Sequence, residues 1–140
     1  MHPRFRQSTR RVLLAAVAAS LLSACASAPP RKPEDIVRER ANARWQAFLA
    51  GKAEEAYAYL SPGSRALTSL AQWRGAIGRA TMWKGAEVYS VTCQTSEKCL
   101  VTVNVQHQPL LLRGKLGTIS SAIDETWLID GGQWWLLYER

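Results

Sequence analysis

Glu87, His107, Glu125 and Tyr138 are the side chains whose chemistry suits acid–base work or the holding of a ligand. A carboxylate set among apolar neighbours holds its proton more tightly and can act as an acid or base near neutrality. A phenol hydroxyl can polarise a carbonyl. Glu125 beside Tyr138 is the pair of most interest, and Trp127 adds a broad aromatic surface next to it. Each has a plainer alternative. Glu125 with Tyr138 is also what a structural hydrogen bond looks like, and Trp127, Trp134 and Trp135 also suit packing. His107 sits near a strand end beside Pro109, where a capped or surface histidine is common. Glu87 faces solvent if the sheet bends at Gly85. The chain has no Gly-rich phosphate loop, no His/Cys/Asp set at metal-ligand spacing and no Ser-His-Asp arrangement. No metal, no cofactor and no catalytic residue is therefore assigned.

These side chains are placed by strands. From Ala86 onward residues alternate between apolar and polar and β-branched types increase, which predicts four strands at about 84–93, 98–107, 118–130 and 133–139. In the first pair Cys93 faces Cys99 across a polar tip, Gln94 to Lys98. Val91 then meets Val101, Tyr89 meets Val103, Glu87 meets Val105 and Gly85 meets His107, with apolar partners on one face. The second pair turns at Gly131-Gly132, a sequence suited to a two-residue hairpin. Ile129 then meets Trp134, Trp127 meets Leu136 and Glu125 meets Tyr138. This register puts all four candidate side chains on the apolar face. Pro109 to Gly117 joins the pairs and holds Leu110, Leu111 and Leu112, read either as a bent strand or loop over the sheet edge or as an exposed apolar patch.

Helical spacing precedes the strands. Val37, Ala41, Trp45 and Phe48 share one face of a helix from about Pro33 to Ala50, with Glu34 and Asp35 at the positive end of its dipole and Gly51 as its stop. A second helix runs over Lys52 to Leu60 and is broken at Ser61-Pro62-Gly63-Ser64. A third starts at Ser69, where Ser69 and Gln72 have capping-box spacing, and ends at Gly78.

The N-terminus gives an address. Met1 to Arg11 carries four arginines and no acid, and Val12 to Leu22 is an apolar run of eleven residues. That pattern is a secretory signal, at about half the length of roughly 20 apolar residues that a membrane span needs. Leu22-Ser23-Ala24-Cys25 resembles the lipobox of bacterial lipoproteins. The resemblance implies a signal peptide over residues 1–24, diacylglyceryl lipidation of Cys25 and a lipidated, proline-rich spacer over residues 25–33. Ala26, where an Asp would favour the inner membrane, implies the periplasmic face of the outer membrane. Ordinary secretion, with cleavage after Ala26 or Ala28, is the alternative. An oxidising compartment makes a Cys93–Cys99 disulfide the expected state of the other two cysteines.

Charge narrows the partners. The formal charge is +7, but the signal holds four of the 18 basic residues, and the 14 that remain face 11 acids, a balance of +3. No basic run with stacking aromatics survives, so no nucleic-acid partner is expected.

Two segments carry a further resemblance, Ala53-Glu54-Glu55-Ala56-Tyr57-Ala58-Tyr59-Leu60-Ser61-Pro62 and Glu125-Thr126-Trp127-Leu128-Ile129-Asp130-Gly131-Gly132-Gln133-Trp134-Trp135. They are similar to the second helix and the final hairpin of the nuclear transport factor 2-like (SnoaL-like) superfamily. The resemblance spans residues 34–140. It implies an α+β domain of the cone-shaped, cystatin-like kind, with three N-terminal helices packed on a curved four-stranded antiparallel sheet and a pocket between them. The superfamily includes isomerases, dehydratases and many members without enzymatic activity, and fold alone does not choose among them. The expectation is a lipid-anchored envelope protein that binds without catalysis, taking a small apolar ligand in the cone through Glu87, His107, Glu125, Trp127 and Tyr138, or meeting an envelope protein partner or a second copy. An isomerase- or dehydratase-like enzyme and a structural subunit of an envelope or secretion assembly are the alternatives.

Mass spectrometry of the native protein is expected to find Cys25 as the lipidated N-terminus. A chain beginning at Ser27 or Pro29 in the soluble periplasm would overturn that expectation.

Overall fold

Cys93 and Cys99 are bonded to each other from directly opposed strand positions, their Cα atoms 3.8 Å apart. Around this bond the computed structural model describes residues 30–78, 82–108 and 117–139. The expectations for the signal peptide, Cys25 and Leu110 to Leu112 lie outside the described residues.

Strands β1 (Trp83–Thr95), β2 (Lys98–His107), β3 (Ile119–Asp130) and β4 (Gln133–Leu137) form an antiparallel sheet in the order β1-β2-β3-β4. Before it come α1 (Pro33–Leu49), α2 (Ala53–Tyr57), α3 (Pro62–Leu67) and α4 (Leu70–Ile77). Among the described residues there are thus four helices where the sequence predicts three. The stretch Ser61-Pro62-Gly63-Ser64 does end α2, and it also starts α3. The Ser61 hydroxyl accepts from the Ser64 backbone N–H at 3.0 Å, and Pro62 occupies the first turn, where no backbone N–H is needed.

The other local signals hold. Gly51 has φ of 77°, a left-handed position that favours glycine at a helix end. Ser69 and Gln72 form the capping box, each side chain reaching the other's backbone N–H. Val37, Ala41, Trp45 and Phe48 are buried from α1 against the inner face of the sheet. That inner face contributes Val88, Cys99, Val101, Val103, Val105, Trp127, Trp134 and Leu136.

Beyond Val91 the predicted β1–β2 register is corrected. Val91 opposes Val101 as expected, but the register shifts between Val88 and Ser90 and again between Trp83 and Gly85. Tyr89 is the extra residue of a bulge and stands 71% exposed, while Val88 turns inward opposite Val103. In consequence Ala86, not Glu87, opposes Val105, and Trp83, not Gly85, opposes His107. An unshifted pairing would push the Glu87 carboxylate into the core without a partner, which is costly. The bulge keeps it outside and buries a valine instead. Arg38 of α1 donates to the Val88 carbonyl at 2.8 Å beside the bulge.

The β3–β4 register is as predicted for Ile129 with Trp134 and Trp127 with Leu136, with Gly131 and Gly132 both at positive φ in the turn. The free edge of β4 is covered by the chain leaving α2. Leu136 N–H donates to the Tyr59 carbonyl at 2.9 Å, and Ser61 N–H donates to the Leu136 carbonyl at 2.8 Å. A covered edge offers no template for a foreign strand.

The double variant Cys93→Ser with Cys99→Ser is expected to fold and to lose roughly 2 kcal/mol, the loop-closure entropy of a short ring. Thermal melts of the two proteins check this, and an unchanged midpoint would mean the bond adds nothing to the tip.

Candidate functional site

Between α1, α4 and the inner face of the sheet lies a cleft of about 430 Å³. Trp45 and Phe48 from α1, Ile77 from α4, Trp83 from β1 and Leu136 from β4 give it apolar walls. Trp45 and Trp83 meet edge-on with ring centroids 5.6 Å apart, and Phe48 meets Trp73 behind them at 6.0 Å. Edge-to-face contacts of this kind hold aromatic walls in fixed orientations. The volume lies within the range of roughly 300–1,000 Å³ of small-molecule sites.

Glu125 lines this cleft and is 6% exposed. Its position follows from the alternation of β3, which turns Ile123, Glu125 and Trp127 to the same side. Three donors converge on the carboxylate. Arg44 Nη1 donates to Oε1 at 2.5 Å, Trp45 Nε1 donates to the same oxygen at 2.8 Å, and Trp127 Nε1 donates to Oε2 at 3.0 Å. Arg44 is equally buried and also lies over the Trp45 ring, its Cζ 4.8 Å from the centroid. A buried ion pair is tolerated only where the geometry is good and the remaining polar atoms are met by further hydrogen bonds. Glu125 satisfies that condition through two indoles. It is a cross-brace between α1 and β3, with fixed protein donors on both oxygens.

The expected partner of Glu125 is therefore corrected. Glu125 does not pair with Tyr138, because β4 ends at Leu137 and Tyr138 is held through its main chain. Tyr138 N–H donates to Ser64 Oγ at 3.0 Å, and the Ser64 hydroxyl donates back to the Tyr138 carbonyl at 3.4 Å. Tyr138 still lines the cleft. Trp127 is fully buried beneath Glu125 and serves as its donor. His107 packs its ring against Trp83 at 5.8 Å, with a buried Nδ1, and does not line the cleft. Glu87 is on the outer face, beside Asn104 and Gln106 in a shallow polar groove. Of the five predicted ligand residues, the structure thus brings Glu125 and Tyr138 to the cleft, sets Trp127 behind it, and leaves His107 and Glu87 elsewhere.

Arg44, Trp45, Phe48 and Trp83 are the site residues that sequence reasoning missed. A signal for Arg44 was present. It stands three residues after Ala41 and four before Phe48, so a cation falls on the apolar stripe of α1 and calls for a buried acid. Among the described residues, no group of three or more His, Cys, Asp or Glu side chains is placed to hold a metal. Nor is any helix there long and apolar enough to cross a membrane.

No protein-family model matches the chain, and no curated protein matches it. Solved structures do. An NTF-2 like protein of unknown function from Shewanella oneidensis MR-1 superposes with a TM-score of 0.54 at 8% identity, over 73% of this chain and 92% of that one. A SEC-C motif containing protein from Psychrobacter arcticus superposes with a TM-score of 0.57 at 18% identity, over 79% of this chain. The match spans 63% of the length of the Psychrobacter protein. At such identities the likeness is one of fold, an NTF2-like α+β architecture.

Glu125→Gln is expected to cost about 3 kcal/mol, because it leaves the Arg44 guanidinium buried without a counter-charge. Adding Arg44→Met should recover part of the loss, since the glutamine oxygen still accepts from an indole. Urea unfolding of both variants checks this, and a single variant as stable as the parent would remove the brace.

Proposed function

We propose that this chain is a membrane-anchored envelope lipoprotein whose NTF2-like domain binds a small apolar ligand in the cleft without converting it. The observation that carries the reading is the engagement of Glu125. Its oxygens accept from Arg44, Trp45 and Trp127. A general base must have an oxygen within reach of a substrate proton, and here each oxygen already faces a protein donor held in a packed core. Beside it the cleft has aromatic and aliphatic walls that suit burial of an apolar body, with Asp124, Thr126 and Glu139 also in its lining. An isomerase or dehydratase that used Glu125 would have to break the brace to free it.

Small-ligand binding is favoured over a protein partner by the outer surface. The large apolar side chains exposed among the described residues are Leu67, Tyr89 and Ile119, on three different elements. The outer sheet face between them is polar, with Thr102 donating to Asp124 at 2.8 Å. The lipobox resemblance and Ala26 support anchoring at the periplasmic face of the outer membrane.

Ala76 provides the test. It is exposed on α4 and lines the cleft, so a larger side chain there fills the opening without disturbing the core. Nile red, a neutral apolar fluorophore, is expected to bind the parent protein, and Ala76→Trp is expected to weaken binding about tenfold or more, a change of about 1.4 kcal/mol, at unchanged melting temperature. Absence of Nile red binding by the parent, or equal binding by the variant, would end the ligand reading.

A further inference from the structure

β3 has twelve residues and its partner β4 has five. Pairing between them runs from Asp130 with Gln133 to Thr126 with Leu137 and stops there. Beyond Leu137 the chain is held to α3 instead. Ser64 Oγ accepts from the Tyr138 N–H at 3.0 Å and donates back to the Tyr138 carbonyl at 3.4 Å. The two strands therefore part like a fork, and β3 runs on from Glu125 back to Ile119 with no strand on that side among the described residues.

Parity decides which backbone groups this leaves open. In an antiparallel strand, successive residues direct their N–H and C=O to opposite neighbours. Ile129 N–H donates to the Glu97 carbonyl at 3.1 Å, on the β2 side. Asp130 and Gln133 close the two-residue turn on the other side. The even-numbered residues of β3 thus face β4, and beyond Thr126 they are Asp124, Ala122 and Ser120. Among the described residues, no group meets the main-chain N–H and C=O of these three on that side. Residues 119–123 carry neither a charge nor a proline. An edge without such guards is a template for another strand.

This edge opens into the cleft. Ile123, Asp124, Glu125 and Thr126 all line it. Alternate residues of a strand face opposite sides of a sheet, so four in a row border one cavity only along the strand's edge. Asp124 shows the same thing, because its carboxylate is engaged by Thr102 on the outer face. Its share of the lining is main chain. Leu137, Tyr138 and Glu139, the parting limb of the fork, border the same cleft, and Ala76 and Ile77 of α4 stand across from them. An open strand edge beside apolar pockets is how strand-addition sites are built. Main-chain hydrogen bonds hold the guest, and the pockets take its alternate side chains. Charge selects among guests. Arg44 and Glu125 cancel as a pair, and the other charged residues of the lining are both acids, Asp124 and Glu139.

We propose that the ligand of the cleft is a short extended peptide, which adds to β3 where β4 stops. Its alternate apolar side chains enter among Trp45, Phe48 and Trp83, and a basic residue lies toward Glu139. The proposal rests on the reading of the cleft as a ligand site and names the ligand. An edge recessed between α4 and the limb of the fork suits a single strand better than the sheet of a second copy.

The probe is acetyl-Lys-Leu-Thr-Leu-Lys-amide, whose leucines fall on one side of an extended chain. Its binding to the full chain is followed by amide hydrogen exchange. Without peptide, the amides of Ala122 and Asp124 are expected to exchange fast, and those of Ile123 and Glu125, which face β2, slowly. At about 90% saturation the Asp124 amide is expected to exchange about tenfold more slowly. Two further peptides carry one N-methyl group each, at the threonine or at the first leucine. Neighbouring amides of an extended chain point to opposite sides, so one of the two is expected to bind about tenfold more weakly and the other like the parent peptide. Glu139→Gln, at an exposed position, is expected to weaken the parent peptide about threefold at low salt and to leave Nile red binding unchanged. Peptide binding without a change at Asp124, or equal affinities of the two N-methyl peptides, would overturn strand addition. Nile red binding without peptide binding would overturn this inference and leave the cleft a ligand site, whereas failure of both removes the two together. Slow exchange of Ala122 and Asp124 before any peptide is added would also overturn it, and a rise of that protection with protein concentration would give the edge to a second copy.

Discussion

A carboxylate on the core side of a sheet must find a counter-charge and donors for both oxygens, or it does not stay buried. Glu125 imposes that condition on this domain. Its partners come from α1 and from its own strand, and Arg44 lies 81 residues away in sequence. Meeting the condition sets the rotation of α1 about its axis, because Arg44 and Trp45 must both point at one carboxylate. Trp45 and Phe48 are then directed toward Trp83, and the walls of the cleft follow. The brace and the cleft are two consequences of one polar contact in an apolar layer.

The same rule acts on β1 with the opposite result. Glu87 has no cation waiting inside, and the strand avoids burying it by a bulge at Tyr89. The bulge moves the residues before it to the other face, so Val88 turns inward and Glu87 faces out, and the second shift, between Trp83 and Gly85, sets Trp83 opposite His107. Arg38 reaching the Val88 carbonyl ties α1 to this irregular point as well. Helix and sheet are therefore joined by two arginines of α1, one at an acid and one at a bulge, in addition to apolar packing. A third, Arg40, is turned toward the aromatic pair Tyr59 and Trp135, where no acid meets it.

NTF2-like folds host catalysts and binders alike, and function has to be argued from the site. Here Glu125 is enclosed by fixed donors, while the cleft beside it keeps apolar walls.

Local sequence determined a good deal. Pro33, Gly51 and the Ser69–Gln72 box mark helix ends because their effects act within one turn of backbone. The Cys93–Cys99 bond and the Gly131-Gly132 turn set two hairpins, because close partners in sequence leave little choice of register near a tight turn. The placement of Glu125 on the inner face was legible for the same reason, since it lies close to that second turn. Residues far from a turn were not. One inserted residue at Tyr89 reverses faces from Val88 back to the second shift at Gly85, and strand alternation read from sequence cannot register it, so Glu87 was misplaced and His107 was given Gly85 as its partner instead of Trp83. Nor could the partners of Glu125 be read along the chain. Arg44 announced a buried charge on the stripe of α1, yet which acid it would meet depended on how a helix and a strand 81 residues apart pack together. That choice belongs to the tertiary structure, because the cost of an unpaired buried charge is settled only when all elements around it are in place.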